Sequence, residues 1–223
     1  MKQINPDTFN FLRELSRNNN REWFTENKPR YQAIRSDFIA YMGRLVEGLG
    51  EIDESVKGID VGRAVFRINR DVRFSNDKSP YKTAIAAAFM KGGKKNFSEY
   101  AGYYIHLENG RSLIAGGAYM PVGQWIKGIR EKIQSESDRF RKIIYSKEFK
   151  EYFGTIEGEK LKSAPRGFRN DDPEIELLKM KSFLASRNFT EKEVLSPGFG
   201  EMFLNCARVL KPLNDFVNEA AHE

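Results

Sequence analysis

Two stretches decide the fold, TAIAAAFM (Thr83–Met90) and YAGYYIHLENGRSLIAGGAY (Tyr100–Tyr119). The first is apolar at every position after Thr83, which predicts a central strand covered on both faces. In the second, Tyr103, Ile105 and Leu107 alternate with Tyr104, His106 and Glu108. Asn109-Gly110 then turns the chain into Ser112–Tyr119, the pairing expected of a hairpin. Upstream, Ala64, Phe66 and Ile68 alternate with Arg63, Val65 and Arg67 and predict a further strand. Ser182–Phe189 predicts another near the C-terminus. The expected sheet is an antiparallel meander of four to five strands.

Helical spacing takes over on either side. Asn5-Pro6 opens a helix carrying Phe9, Leu12 and Leu15, and Asn18-Asn19-Asn20 ends it and caps the next. Lys28-Pro29 reads as the opening of a long helix with Tyr31, Ile34, Phe38, Met42, Leu45 and Leu49 on one stripe, closed by Gly50. After Pro121, helical patterns run through Trp125, Ile129, Phe140, Ile144 and Phe153. Thr190 to Glu193 has the capping-box form, and Ser196-Pro197 opens a last helix, expected to bend or break at Pro212. The prediction is one α+β domain over 1–223, helical over 5–50, sheet over 62–121 and mostly helical over 122–221.

Composition narrows the function classes. One cysteine, Cys206, excludes an internal disulfide and any multi-cysteine metal site, and its helical neighbours make it a core residue. MKQINPDTFN has no apolar run, and no stretch approaches the roughly 20 apolar residues of a membrane span. A cytoplasmic protein with no membrane partner is expected. Walker, GxGxxG, HExxH and GxSxG patterns are absent, so the sequence names no cofactor and no metal, and it leaves turnover and oligomeric state open.

Charge is the more informative feature. The net charge is +6, yet Gly62–Lys95 alone holds nine cations against Asp71 and Asp77, a local +7, leaving −1 for the rest. Such a field draws anions. Within it, the loop from Arg67 to Lys82 offers Arg67, Arg70, Arg73, Lys78, Tyr81 and Lys82 as ligand contacts, with Arg63 beside it. Asp71 and Asp77 either act as bases or tie the loop down by ion pairs, but two acids cannot neutralise nine cations. Asn27 and Lys28, next to Trp23 and Phe24, are candidates to face a pocket, and Arg166 before Gly167-Phe168 is a candidate lid contact. His106 is the one imidazole away from the C-terminus and the candidate general acid or base, in a strand that puts Tyr104 and Glu108 on its face. A small phosphate- or carboxylate-bearing ligand is the first expectation. Nucleic acid, from the pI near 9.3, and a protein-interaction module are the alternatives.

Several segments resemble one known family. They are Asn20 to Phe24 with Asn27, Lys28 and Tyr31; Phe66-Arg67 through Arg70 to Ser75; Asp77 to Lys82; Tyr103 to Leu107; Gly116-Gly117 with Tyr119 and Pro121; and Pro165 to Phe168. Together they are similar to the bacterial family catalogued as domain of unknown function 2461, over nearly the whole chain. Where that pattern usually shows a third glycine, this chain has Ala115 or Ala118. The resemblance implies the α+β fold and supports the position of the site. It brings no reaction with it.

Overall fold

The structure is a computed structural model that describes residues 3–221, so Met1, Lys2, His222 and Glu223 lie outside it. Helix α1 (Asp7–Arg17) starts where the Asn5 side chain accepts from the Asp7 backbone N–H at 2.9 Å, and it buries Phe9, Phe11, Leu12 and Leu15. Helix α2 (Arg21–Ile52) is capped by the Asn20 side chain, which accepts from the Trp23 N–H at 2.9 Å. The expected start at Lys28-Pro29 is therefore corrected, because Pro29 lies inside α2. An interior proline costs about 3 kcal/mol. The stripe from Phe24 through Ile34, Phe38 and Met42 is buried on both sides of Pro29, and this outweighs the missing hydrogen bond. Arg30 clamps α1 to α2 by reaching Asp7 and Glu14, the latter at 2.7 Å.

The strand expected over Arg63–Ile68 does not form. Asp60 caps a helical turn, α3 (Val61–Ala64), by accepting from the Arg63 N–H at 3.1 Å. Ala64 and Val65 are both buried, which breaks the two-residue alternation a strand requires. The chain then only touches the sheet edge, with Val65 bridging Ala87 and the Phe66 N–H donating to Ala86 at 2.9 Å, while Asn69 bridges Tyr81 ahead of β1.

Four strands make the sheet among the described residues: β1 (Ala84–Met90), β2 (Gly102–Glu108), β3 (Ser112–Ala118) and β4 (Phe183–Phe189). They lie in the order β1-β2-β3-β4, antiparallel throughout, as a meander predicts. Gly110, at φ +72°, closes the β2–β3 hairpin. β1 is buried from Ile85 to Met90 as expected, but it is first in strand order and its outer edge is closed by the bridging segment described above.

Helices α4 (Gly123–Ser135), α5 (Ser137–Ile144), α6 (Lys147–Phe153) and α7 (Ile175–Leu178) lie between β3 and β4. After β4, the capping box at Thr190 opens α8 (Glu191–Val194), and α9 (Phe199–Glu219) ends the fold. α9 is unbroken through Pro212, contrary to the expected bend or break, with Leu204, Leu210, Leu213 and Phe216 buried along it. It packs across β3, where an added Cβ on Gly116 would lie 2.8 Å from a Leu210 methyl. No helix among the described residues is long and apolar enough to cross a membrane.

One sheet face, with Ile85, Phe89, Tyr103, Ile105, Ile114 and Phe183, joins the hydrophobic core. The other carries Tyr104, His106 and Glu108 opposite Ala88, Ala86 and Ala84. This second face borders the candidate site.

Candidate functional site

The basic segment divides into a loop that binds itself and a cleft that does not. On the loop, Arg70 pairs with Asp77 and Ser79, and Asp77 also accepts from the Ser79 backbone N–H at 2.9 Å. Arg73 forks onto Asp71 at 2.7 and 3.0 Å, and Lys78 donates to the Val72 carbonyl at 3.0 Å. The Arg73 hydrogen bond holds the Asp71 carboxyl down at about 2, and the Ser79 hydroxyl and amide, with Arg70, hold Asp77 well below the usual carboxylate range. Both acids are thus ionised and engaged by the loop's own donors. Phe74 projects from the loop, 96% exposed.

The cleft lies between the first half of α2 and residues 62–69, with a volume of about 650 Å³. Lys28, Arg35, Arg67, Lys82 and Lys94 line it together with Tyr31 and Phe66, and among the described residues no carboxylate does. Three of the cations are fixed on carbonyls of one segment. Arg35 donates to Gly62 at 3.2 Å, Lys94 to Val65 at 2.6 Å, and Lys82 to Arg67 at 2.8 Å. Burial pushes the Lys82 ammonium below its ordinary pKa, and Arg67 adds to that. Lys94 is lowered by burial, then by Arg35, Lys82 and Lys95. These groups repel one another, so the cleft carries uncompensated positive charge.

Of the residues singled out in the sequence, Lys28, Arg67 and Lys82 meet in this cleft. Arg70, Arg73, Lys78, Asp71 and Asp77 stay on the loop. Arg63 is beside the cleft, its side chain 91% exposed and 3.4 Å from Asp60. Tyr81 is buried and stacks on Phe24 at 4.0 Å. Asn27 donates to the Trp23 carbonyl at 2.9 Å. Arg166 is exposed on a turn closed by the Phe168 N–H onto Pro165, away from the cleft lining. Cys206 is buried, and burial pushes its thiol up to about 11.

Two cleft residues were not selected from the sequence. Lys94 was visible only as part of a charge count. Arg35 sits on the polar side of α2, where a solvent-facing helix cation looks the same.

Next to the cleft, His106 forms a hydrogen-bonded row along β2. Burial pushes the Tyr104 phenol up to about 12, and its hydroxyl hydrogen-bonds with His106 Nδ1 at 2.9 Å. On its other side His106 Nε2 faces the Glu108 carboxylate, which accepts from it at 3.1 Å. Glu108 also accepts from Thr83 at 2.7 Å and Arg111 at 2.9 Å. Burial alone would raise the Glu108 carboxyl, but the Thr83 and His106 hydrogen bonds and Arg111 hold it below its ordinary value. Such a row can move a proton along the strand. Phe66 joins it to the cleft, meeting the Tyr104 ring edge-on at 6.1 Å with Lys82 and Lys94 at 5.8 and 5.0 Å from its centroid.

Glu108→Ala removes the acceptor of three donors at once and is expected to cost about 1–3 kcal/mol in urea unfolding. Because Glu108 is depressed below 4.5 in the fold, its contribution is complete above that pH and is lost on acidification. The variant should therefore lose less stability than the wild type as pH falls below 4.5, while the gap between the two stays constant above it.

Among the described residues no group of three or more His, Cys, Asp and Glu side chains is placed to hold a metal ion. Fold and site together define an α+β protein with a four-strand antiparallel meander and a cationic cleft beside one sheet face. The chain belongs to the conserved hypothetical protein family DUF2461, whose model matches residues 7–216. Comparisons with curated proteins and with solved structures gave no match.

Proposed function

We propose that the protein binds a small phosphate- or carboxylate-bearing anion in the cleft between α2 and residues 62–69, and that it does so in the cytoplasm. The observation that carries this reading is the presence of five cations and no carboxylate on the cleft wall. An isolated structural network would bring its own acids, as the neighbouring loop does with Asp71 and Asp77. In the cleft, backbone carbonyls hold the cations in place without neutralising them, and an anion would supply the missing charge. The Tyr104–His106–Glu108 row is not part of the cleft wall, and Phe66 lies between it and the ligand site.

A thermal-shift panel tests the reading, with phosphorylated metabolites, carboxylates and oligonucleotides run on wild type and on Arg67→Ala/Lys82→Ala. An anion at 100 times its Kd adds about 2.7 kcal/mol to the native state, roughly 5–10 °C for a chain of this size. The expected result is a shift in the wild type that disappears in the folded variant. An equal shift in both would move the site elsewhere.

The depressed lysines set the pH dependence of binding. Their ordinary pKa is 10.5, and the fold lowers it, so the ammonium forms that attract the anion are lost earlier than in a free side chain. Affinity should fall on the alkaline side below pH 10.5, whereas the empty protein gains stability there as the buried charges, and with them the repulsion, are removed.

A further inference from the structure

We infer that the ligand of the cleft is a compact polyphosphate, two or more linked phosphates held through their oxygens and not through a nucleobase. This rests on the cleft being the anion site.

The first argument is charge. A single phosphate group carries roughly −1.5 to −2 at neutral pH. Set among Lys28, Arg35, Arg67, Lys82 and Lys94, it would leave more than half of the positive charge in place. Linked phosphates bring enough negative charge for the whole set within one cleft.

The second argument is arrangement. The Arg35, Lys94 and Lys82 heads are fixed on Gly62, Val65 and Arg67, successive points along one short stretch of backbone. Gly62 lies in the α3 turn, Val65 directly follows that turn and Arg67 is two residues further on, so the three heads are anchored on three separate residues and not on one. A chain of phosphates offers a separate set of oxygens to each of the three anchored heads, which a lone phosphate does not. The donors are available for this. A lysine ammonium has three and an arginine five, and each of these heads spends one on a carbonyl.

The third argument excludes a base platform. A nucleotide needs a free aromatic face. Phe66 already has Lys82 and Lys94 over its ring and the Tyr104 ring against it. Tyr31 stacks on Phe11 at 5.9 Å and packs against Phe24 at 5.4 Å, and Phe24 stacks on Tyr81. The aromatic residues of the wall are occupied with one another and with the cations, so recognition falls to charge.

Titration calorimetry with inorganic phosphate, pyrophosphate, tripolyphosphate, ATP, citrate and a short single-stranded oligonucleotide tests this. Affinity is expected to rise about tenfold with each added phosphate, and ATP should bind no tighter than tripolyphosphate. Arg35→Gln and Lys94→Gln, each checked for folding by circular dichroism, should weaken tripolyphosphate more than inorganic phosphate. Equal affinity for the three phosphates would overturn the proposal and leave the anion site standing. So would tighter binding of citrate, of ATP or of the oligonucleotide than of tripolyphosphate, each pointing to a different ligand class. Absence of binding by every probe would remove the anion site itself.

Discussion

Gly117→Ala should lower stability by about 4 kcal/mol, a large part of the 5–15 kcal/mol that holds an ordinary domain together. Gly117 lies in β3 at φ +113°, a conformation that side-chain-bearing residues rarely adopt. A Cβ built there would sit 2.0 Å from the Phe183 carbonyl oxygen and 3.0 Å from the Leu184 Cα, both backbone atoms of β4. Neither can swing aside as a side-chain tip would, so the β3–β4 ladder must open around the Gly117–Leu184 pair. Gly110→Ala is the matched control. Gly110 is also at positive φ, +72°, but nothing lies within 4 Å of its missing Cβ. It should cost only the left-handed strain, about 1–2 kcal/mol. Urea midpoints of the two variants separate strain from collision, and equal losses would show that the close strand approach is not what requires glycine at Gly117.

Phe216→Ala should cost a similar amount, about 4–5 kcal/mol, for a different reason. The ring is completely buried on α9, 4.9 Å from Phe140 of α5, and its removal opens a cavity. It also carries two cations on its faces, Lys132 at 5.5 Å and Arg139 at 5.3 Å. These belong to a network in which Lys132 meets Glu136 at 2.6 Å and Glu219 at 3.1 Å, and Arg139 meets Glu219 at 2.6 Å. Phe216→Leu keeps most of the volume and should lose under about 1.5 kcal/mol. The acid limb of the stability curve distinguishes packing from charge. Hydrogen bonding from Arg139, with Lys132 helping, holds the Glu219 carboxyl at about 2, so its contribution is complete above 4.5 and is lost as pH falls towards 2. Phe216→Ala leaves Arg139 and Glu219 free to pair, so the curve should drop at every pH without changing shape. A flattened acid limb would mean that the ring was organising the charges as well as filling space.

The sequence disclosed these two sites only in part. Phe216 lies beyond the break expected at Pro212, and its burial follows only from α9 running on unbroken. Gly116-Gly117 was visible as a pair, but the demand for glycine at Gly117 comes from β4, a strand more than sixty residues away in the chain. The same distinction holds across the fold. The period-two alternation of β2, the Asn20 cap, the Asn109-Gly110 turn and the Thr190 capping box are local, and each appears in the structure where the sequence put it. The errors at Pro29, Pro212 and Arg63–Ile68 share one cause. Local rules for proline and for alternation were overruled by burial against distant partners.

By itself, then, the sequence determined the α+β class, the antiparallel meander, the family and the concentration of positive charge between Gly62 and Lys95. Only the tertiary structure decided which of those charges are free. Asp71 and Asp77 lie within a few residues of Arg73 and Arg70 and pair locally, so the loop closes on itself. Lys28 and Arg35 come from α2, Lys94 from beyond β1, and Arg67 and Lys82 from either side of the loop, and packing brings all five to one cleft without a carboxylate. Charge composition is additive along a chain, whereas the field at a site depends on which groups packing brings together and which it keeps apart.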